Sequence, residues 1–176
     1  MDEQAARLAG GEAAAFAALY DACAGRLHHY LVVRLGRRDE ADEVLQEVFV
    51  RLARSRARFA TVADPVLYAF ATARNEALRA LGRRGRRERR RVELSAEMLF
   101  CEAADDDIAA RERAEWAAAA LDRLDERGRE VVELKLFAGL TFREIAAVTG
   151  LPQGTVATRY RAALERMRQW AAREEE

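Results

Sequence analysis

Apolar residues recur at three- and four-residue spacing over most of the chain, which is the period of helices that bury one face. A first helix is predicted from about Glu12 to Leu35, with Gly36 as its stop. A second begins near Asp39, with acids in its first turns and arginines in its last. A third begins at Pro65, where Asp64 is placed as its N-cap. Together these helices predict a first domain at about residues 10–91.

The periodicity weakens over residues 92–110, which include the acidic run at 105–107. We expect a flexible acidic linker there, followed by a second domain at about residues 111–173. Trp116, Leu121 and Leu124 mark the first helix of this domain, and a second helix begins around Gly128. The sequence therefore predicts an all-α protein of two small helical domains joined by a linker.

The second domain ends in a helix-turn-helix signature. Thr141 and Glu144 have the spacing of a capping box, and Gly150 suits the tight turn that follows. The small side chain of Ala146 allows the next helix to approach closely. The last helix would then expose short polar and arginine side chains at its N-terminal end, the end that enters the major groove in such motifs. These residues are Gln153, Thr155, Thr158, Arg159 and Arg161.

Charge is balanced overall but unevenly distributed. The 30 basic and 30 acidic residues cancel, which argues against a protein that simply coats nucleic acid. An arginine-rich stretch at 79–91 is followed by an acid-rich stretch at 92–115. This asymmetry favours a local nucleic-acid surface next to an acidic connector, although a solvated charge cluster would give the same pattern.

Other functional classes find no support in the sequence. Cys23 and Cys101 are isolated, so neither a zinc site nor a disulfide scaffold is expected. With adjacent His28 and His29 and no glycine-rich phosphate loop, no catalytic constellation is present, and we expect a protein that is not an enzyme and needs no metal or cofactor. The absence of a signal peptide and of a membrane-length apolar run predicts a cytoplasmic protein without membrane insertion.

Several segments resemble extracytoplasmic-function sigma factors of bacterial RNA polymerase. In the second half these are LDRL at 121–124, REVVEL at 129–134, FAGLTFREIA at 137–146 and GTVATR at 154–159. In the first half, DEVLQEVFVRL at 42–52 is similar to the family's polymerase-clamp-binding helix. ARN at 73–75, followed by the arginine run, is similar to its promoter-melting helix. The resemblance covers nearly the whole chain in the family's order.

The resemblance implies a sigma factor that binds core polymerase and directs promoter-specific initiation. It implies contacts with the β′ clamp and the β flap, with promoter DNA and with an anti-sigma factor. The loop from Ser55 to Asp64 would hold a base flipped out of the minus-10 element. The polymerase-binding residues would be Asp42, Glu43, Gln46 and Glu47. The minus-10 strand would be followed by Arg74, Asn75, Arg79, Arg83 and Arg84, and the minus-35 element would be read by the exposed residues of the last helix.

The chain also departs from the family pattern. Ala157 and Ala162 stand where members often place basic or polar DNA-contacting residues, so no promoter sequence can be carried over. Aromatic residues that many members place near Leu67 and Arg54 are absent, and Asp125 replaces a frequent proline.

Two alternatives remain at this stage. One is a stand-alone helix-turn-helix regulator, which would need a dimer interface because one such helix reads few base pairs. The other is an interaction protein that competes for an anti-sigma partner without initiating transcription. Co-purification with core polymerase distinguishes the stand-alone regulator from a sigma factor. A transcription assay distinguishes the interaction protein from a sigma factor.

Overall fold

The computed structural model describes residues 3–84 and 116–174, and every regular element in those two ranges is an α-helix or a 3-10 helix. The first range contains α1 (Glu3–Gly10), α2 (Ala13–Leu35), α3 (Arg38–Arg54), a 3-10 helix (Arg56–Thr61) and α4 (Pro65–Arg84). The second contains α5, helical over residues 116–122, α6 (Glu126–Leu136), α7 (Phe142–Thr149) and α8 (Gln153–Glu174). The all-α prediction is confirmed for these ranges.

Local signals set the helix ends where the sequence predicts them. Gly36 adopts a left-handed φ of 71°, and its N–H donates to the Val32 carbonyl at 2.8 Å, which closes α2. The Asp64 carboxylate accepts the Leu67 N–H at 3.0 Å and caps α4. Helix α6 begins at Glu126, two residues before the predicted start near Gly128, because the Asp125 side chain accepts the Gly128 N–H at 2.8 Å.

Helix α1 has no counterpart among the predicted elements. An eight-residue helix carries too few apolar positions for a clear period, and it would not persist alone in water. Ala5 and Leu8 are fully buried, and α1 packs against the 3-10 helix. Tertiary packing therefore stabilises α1, and the sequence of α1 alone does not predict a helix there.

The predicted acidic linker at 92–110 and the arginine run beyond Arg84 lie outside the described residues. Within the described ranges no helix is long and apolar enough to cross a membrane. In those same ranges no group of three or more His, Cys, Asp or Glu residues is arranged to hold a metal ion.

The two halves pack against each other, an arrangement that the sequence does not predict. One apolar cluster joins Leu27 and Phe70 of the first half to Leu134 and Ile145 of the second. Helix α7 lies against α4, and α6 lies against α2. A second cluster places Val33 of α2 among side chains from the other half, which are Leu121, Leu124, Val132 and Met167.

Candidate nucleic-acid and polymerase interfaces

The helix-turn-helix begins with a complete capping box. The Thr141 hydroxyl accepts the Glu144 N–H at 3.3 Å, and the Glu144 carboxylate accepts the Thr141 N–H at 2.7 Å. Hydrogen bonds from Thr141 lower the pKa of the Glu144 carboxyl below its ordinary value. Gly150 ends α7 with a left-handed φ of 73°, as the turn requires. The capping-box prediction is therefore confirmed.

Helix α8 is held against α7 through apolar contacts on one face. Ile145 and Val156 are fully buried, and the Phe142 and Tyr160 rings meet with centroids 5.3 Å apart. With that face fixed, the opposite face at the N-terminal end of α8 points into solvent.

The predicted minus-35 residues lie on this outer face. Gln153, Thr158 and Arg161 are exposed, whereas Thr155 and Arg159 are half-buried. The Thr158 hydroxyl donates to the Gly154 carbonyl at 2.9 Å, and Arg161 Nε donates to the Ala157 carbonyl at 3.3 Å. These two bonds lie along the helix surface, and the Arg161 bond engages only Nε of its guanidinium.

The predicted polymerase-binding residues share an exposed face of α3. Asp42 lies 2.9 Å from Nε2 of His28, and Glu47 lies 3.3 Å from Arg51. Both carboxylates remain largely solvent-exposed, so they are open to a cationic partner. The structure thus brings together Asp42, Glu43, Gln46 and Glu47 on one exposed surface.

The segment from Ser55 to Asp64 contains the 3-10 helix Arg56–Thr61, which is anchored by one aromatic residue. Phe59 is fully buried between Phe16 and Tyr68, with edge-to-face centroid distances of 5.9 and 5.3 Å. Ser55 donates to the Arg51 carbonyl at 2.7 Å and ties the segment to the end of α3. The segment is therefore preformed, while its small side chains at Ala57 and Ala60 stay exposed.

The predicted minus-10 residues differ in solvent exposure and in their ion-pair partners. Asn75 and Arg83 are exposed, and Arg79 pairs with Glu76 one turn earlier. Arg74 instead donates from Nε and Nη2 to both carboxylate oxygens of Glu130, at 2.9 and 3.1 Å. Glu130 belongs to α6 in the other half. The side chain of Arg84 lies outside the described residues.

Acidic residues on α6 are the functional feature that sequence reasoning missed. Glu126, Glu130 and Glu133 occupy one helix face at spacings of four and three, and each pairs with an arginine of the first half. An acidic helix face is usually solvated, so the pattern alone gives no reason to expect contacts across the molecule. Asp125, which stands where the family often has a proline, both caps α6 and pairs with Arg166 of α8.

Family comparison matches both halves. Residues 19–87 match the model of sigma-70 region 2, and residues 120–169 match the model of sigma-70 region 4. The two ranges lie on either side of the predicted linker and together span more than half of the chain. The chain therefore belongs to the sigma-70 family of RNA polymerase sigma factors.

Curated relatives place it within one branch of that family. It is 52% identical over 50 residues to the ECF RNA polymerase sigma factor RpoE of Cereibacter sphaeroides, a match that spans 28% of each chain. It is 28% identical over 166 residues to the ECF RNA polymerase sigma factor SigK of Mycobacterium ulcerans, over 92% of this chain and 88% of SigK. Within the family, the chain falls among the extracytoplasmic-function (ECF) sigma factors.

Solved structures share the fold over most of its length. CnrH, solved in complex with the cytosolic domain of CnrY, superposes with a TM-score of 0.70 at 25% identity, over 96% of this chain and 95% of CnrH. The sigma factor RpoE of Bartonella quintana, crystallised with the anti-sigma factor NepR, gives a TM-score of 0.61 at 21% identity, over 81% of this chain and 88% of RpoE.

Proposed function

We propose that this protein binds core RNA polymerase in the cytoplasm and directs it to promoters of particular sequence. The observation that carries the proposal is the exposed N-terminal end of α8, presented by a capped helix-turn-helix, in a chain whose other half exposes an acidic face on α3. The proposed activity is binding, with no chemical step assigned to the protein itself.

The second half would recognise the minus-35 element. Arginine can bond bidentately to guanine in the major groove, and glutamine to adenine. Arg159, Arg161 and Gln153 supply those groups, while Thr155 and Thr158 are suited to phosphate oxygens. Ala162 is exposed and Ala157 half-buried, so neither adds a polar contact, and sequence preference depends on the remaining side chains.

The first half would contact polymerase and the minus-10 element. The acidic face of α3 complements a basic surface on the β′ clamp, and the second half would meet the β flap. Flipping a base out of the duplex costs a few kcal/mol of stacking, which a preformed pocket can offset. The 3-10 helix anchored by the buried Phe59 would form part of such a pocket, and the arginines of α4 would follow the separated strand.

We also propose an anti-sigma factor as a regulatory partner. CnrH, which shares the fold over nearly its whole length, was solved with the cytosolic domain of another protein bound to it.

A stand-alone regulator is the less favoured function. Its helix-turn-helix would explain the match at 120–169, but it would leave the region 2 match at 19–87 and the exposed acidic face of α3 without a role. The other alternative is a protein that binds only an anti-sigma factor. A transcription assay distinguishes it from a sigma factor, because it would not support initiation.

Polymerase association tests the proposal by charge reversal. The full chain carrying Asp42→Arg, Glu43→Lys and Glu47→Lys is expected to lose co-purification with core polymerase, because like charges would face the clamp. A control triple variant, Glu3→Lys, Glu12→Lys and Glu165→Lys, changes the same number of exposed acids elsewhere and should still co-purify. Retained association of the α3 variant would contradict the clamp assignment.

Run-off transcription tests the function as a whole. Purified core polymerase and the full chain should yield a defined transcript from a template that carries the gene's own upstream DNA. Core polymerase alone should not give this transcript. A chain that co-purifies with polymerase but never supports a transcript would contradict a sigma factor.

A further inference from the structure

Three arginines of the first half meet acceptors of the second half across the contact between them. Arg26 donates from Nε and Nη2 to the Ala138 carbonyl at 2.9 and 2.6 Å. Arg34 pairs with Glu126 and, at 3.1 Å, with Glu133. Arg74 forms its two bonds to Glu130. In these three contacts the cation belongs to residues 3–84 and the acceptor to residues 116–174. The first half therefore contributes positive charge to this contact, and the second half contributes the acceptors.

The Arg34 pair lies in the interior of the molecule. The side chains of Arg34 and Glu133 are 1% and 0% exposed. Burial raises the pKa of the Glu133 carboxyl, and Arg34 and Arg129 oppose that effect. Burial also opposes the charge on Arg34, but the Glu133 and Glu126 carboxylates outweigh it and raise the pKa of the guanidinium. Each half therefore supplies the counter-charge that offsets the burial of the other half's charged group.

Apolar packing accompanies these ion pairs. Val33, next to Arg34 on α2, is fully buried in the apolar cluster of the second half. Among the described residues, two buried polar atoms near this contact have no hydrogen-bond partner. They are the Tyr30 hydroxyl and Arg34 Nε. An unsatisfied buried polar group opposes folding, so the contact is close but imperfectly matched.

The Arg74 pair has a different consequence, because Arg74 is one of the residues assigned to the promoter strand. A guanidinium binds carboxylate and phosphate through the same fork of N–H groups. Here the fork formed by Nε and Nη2 is filled by both oxygens of Glu130, and the two side chains are 21% and 10% exposed. A phosphate can reach this edge of Arg74 only after Glu130 leaves it.

We propose that Glu130 is an internal competitor for the DNA phosphate that Arg74 binds, so that the closed chain weakens its own contact with single-stranded minus-10 DNA. The inference rests on the proposed function, which assigns Arg74 to that strand. It gives the α6 carboxylate a regulatory role: any partner that separates the two halves frees Arg74, and any partner that holds them together keeps it occupied.

A binding assay with single-stranded DNA tests the competition. A fluorescein-labelled dT 20-mer is the probe, because a phosphate contact does not depend on base sequence. Glu130→Gln keeps the size of the side chain but removes its charge, and it should bind the probe about tenfold more tightly than wild type at low salt. Glu3→Gln removes one exposed acid elsewhere and controls for net charge. It should stay within about twofold of wild type.

A second substitution shows whether the gain depends on Arg74. Adding Arg74→Gln to Glu130→Gln should abolish the tighter binding, since the freed guanidinium is then gone. Equal affinities of Glu130→Gln and Glu3→Gln would overturn the competition. A gain that survives Arg74→Gln would overturn it too.

Hydrogen exchange of the wild-type chain provides a readout that needs no substitution. Adding the dT 20-mer should speed amide exchange in α6 and slow it in α4, because DNA and Glu130 compete for one side chain. Unchanged exchange in α6 at saturating DNA would overturn the inference. Neither measurement contains polymerase, so a failed transcription assay would remove the proposed function while leaving the competition measurable.

Discussion

The end of α8 and the middle of α4 carry the two sets of predicted DNA contacts, and they differ in what occupies them. At α8 the outer face is open, and its hydrogen bonds are local ones to carbonyls of the same helix. At α4 the central arginine is held by a carboxylate from the other half of the chain. One surface is open to solvent, whereas the other is paired within the protein.

The two predicted DNA-binding surfaces therefore differ in the contacts that hold their side chains. The ends of α7 are set by its own capping box and by the turn at Gly150, and α7 also packs against α4 of the first half. The availability of Arg74 depends on the distance between the halves. Substitutions at each surface separate these two kinds of dependence.

Breaking the buried pair between the halves should have the largest effect. Arg34→Ala removes one of the two guanidinium partners of the buried Glu133, which keeps Arg129 at 2.7 Å. Losing a buried hydrogen bond between charged groups costs about 1.5–3 kcal/mol of unfolding free energy. Urea denaturation of the full chain measures this loss. Arg37→Ala, which removes an exposed arginine from its pair with Asp39, is the control and should unfold like wild type. An Arg34→Ala chain as stable as the control would show that the halves do not depend on this contact.

Removing the recognition arginines should weaken DNA binding without weakening the fold. Arg159→Ala and Arg161→Ala are each expected to reduce affinity for a cognate promoter by about 5- to 100-fold, the range for loss of a good base contact. Arg168→Ala, an exposed arginine further along the same helix, is the matched control. If both variants bound promoter DNA as wild type does, the assignment of α8 as the reading helix would fail.

Removing the cap of α7 tests whether the open surface depends on local structure. Thr141→Ala deletes the hydroxyl that accepts the Glu144 N–H and should cost about 1 kcal/mol of stability. Faster amide exchange should be confined to α7 and the start of α8. Equal acceleration in α4 would show that the cap also supports the contact between α7 and α4, which contradicts a purely local role for it.

Acid should remove a smaller contribution from the same cap. The pKa of Glu144 is lowered in the folded chain from an ordinary value of 4.5. A lowered carboxyl pKa stabilises the fold at pH values above that ordinary value, and the contribution is lost as the pH falls through the folded pKa. The stability gap between wild type and Glu144→Gln should therefore narrow as the pH falls from about 6 to about 3. A gap that stays constant with pH would show that the charge of Glu144 contributes nothing.

The sequence predicts those parts of the molecule whose signals are local. Thr141, Glu144 and Gly150 define the helix-turn-helix within ten residues, and the structure realises each of them. Asp64 and Gly36 likewise mark helix ends by chemistry that acts over a single turn. The family can also be predicted from the sequence, because the segments that resemble it lie along both halves in the family's order.

The contacts that set Arg74 apart were not predictable in this way. Arg74 and Glu130 are 56 positions apart, with the linker between them, and neither position differs locally from a solvated charge. Arg34 has the same appearance in sequence, although its side chain is 1% exposed in the structure. Phe59 reads as part of a polar stretch until Phe16 and Tyr68 are brought against it. Such contacts form only when distant parts of the chain pack together, and the local pattern of apolar residues does not predict that packing.

Permanganate and nuclease footprinting of the reconstituted holoenzyme on one promoter tests the central claim that both surfaces act together on DNA. We expect nuclease protection of the minus-35 element together with permanganate-reactive, unpaired thymines at the minus-10 element. Both signals should require the full chain and core polymerase. Protection at minus-35 by the chain alone, with a minus-10 element that stays double-stranded in the presence of polymerase, would contradict it.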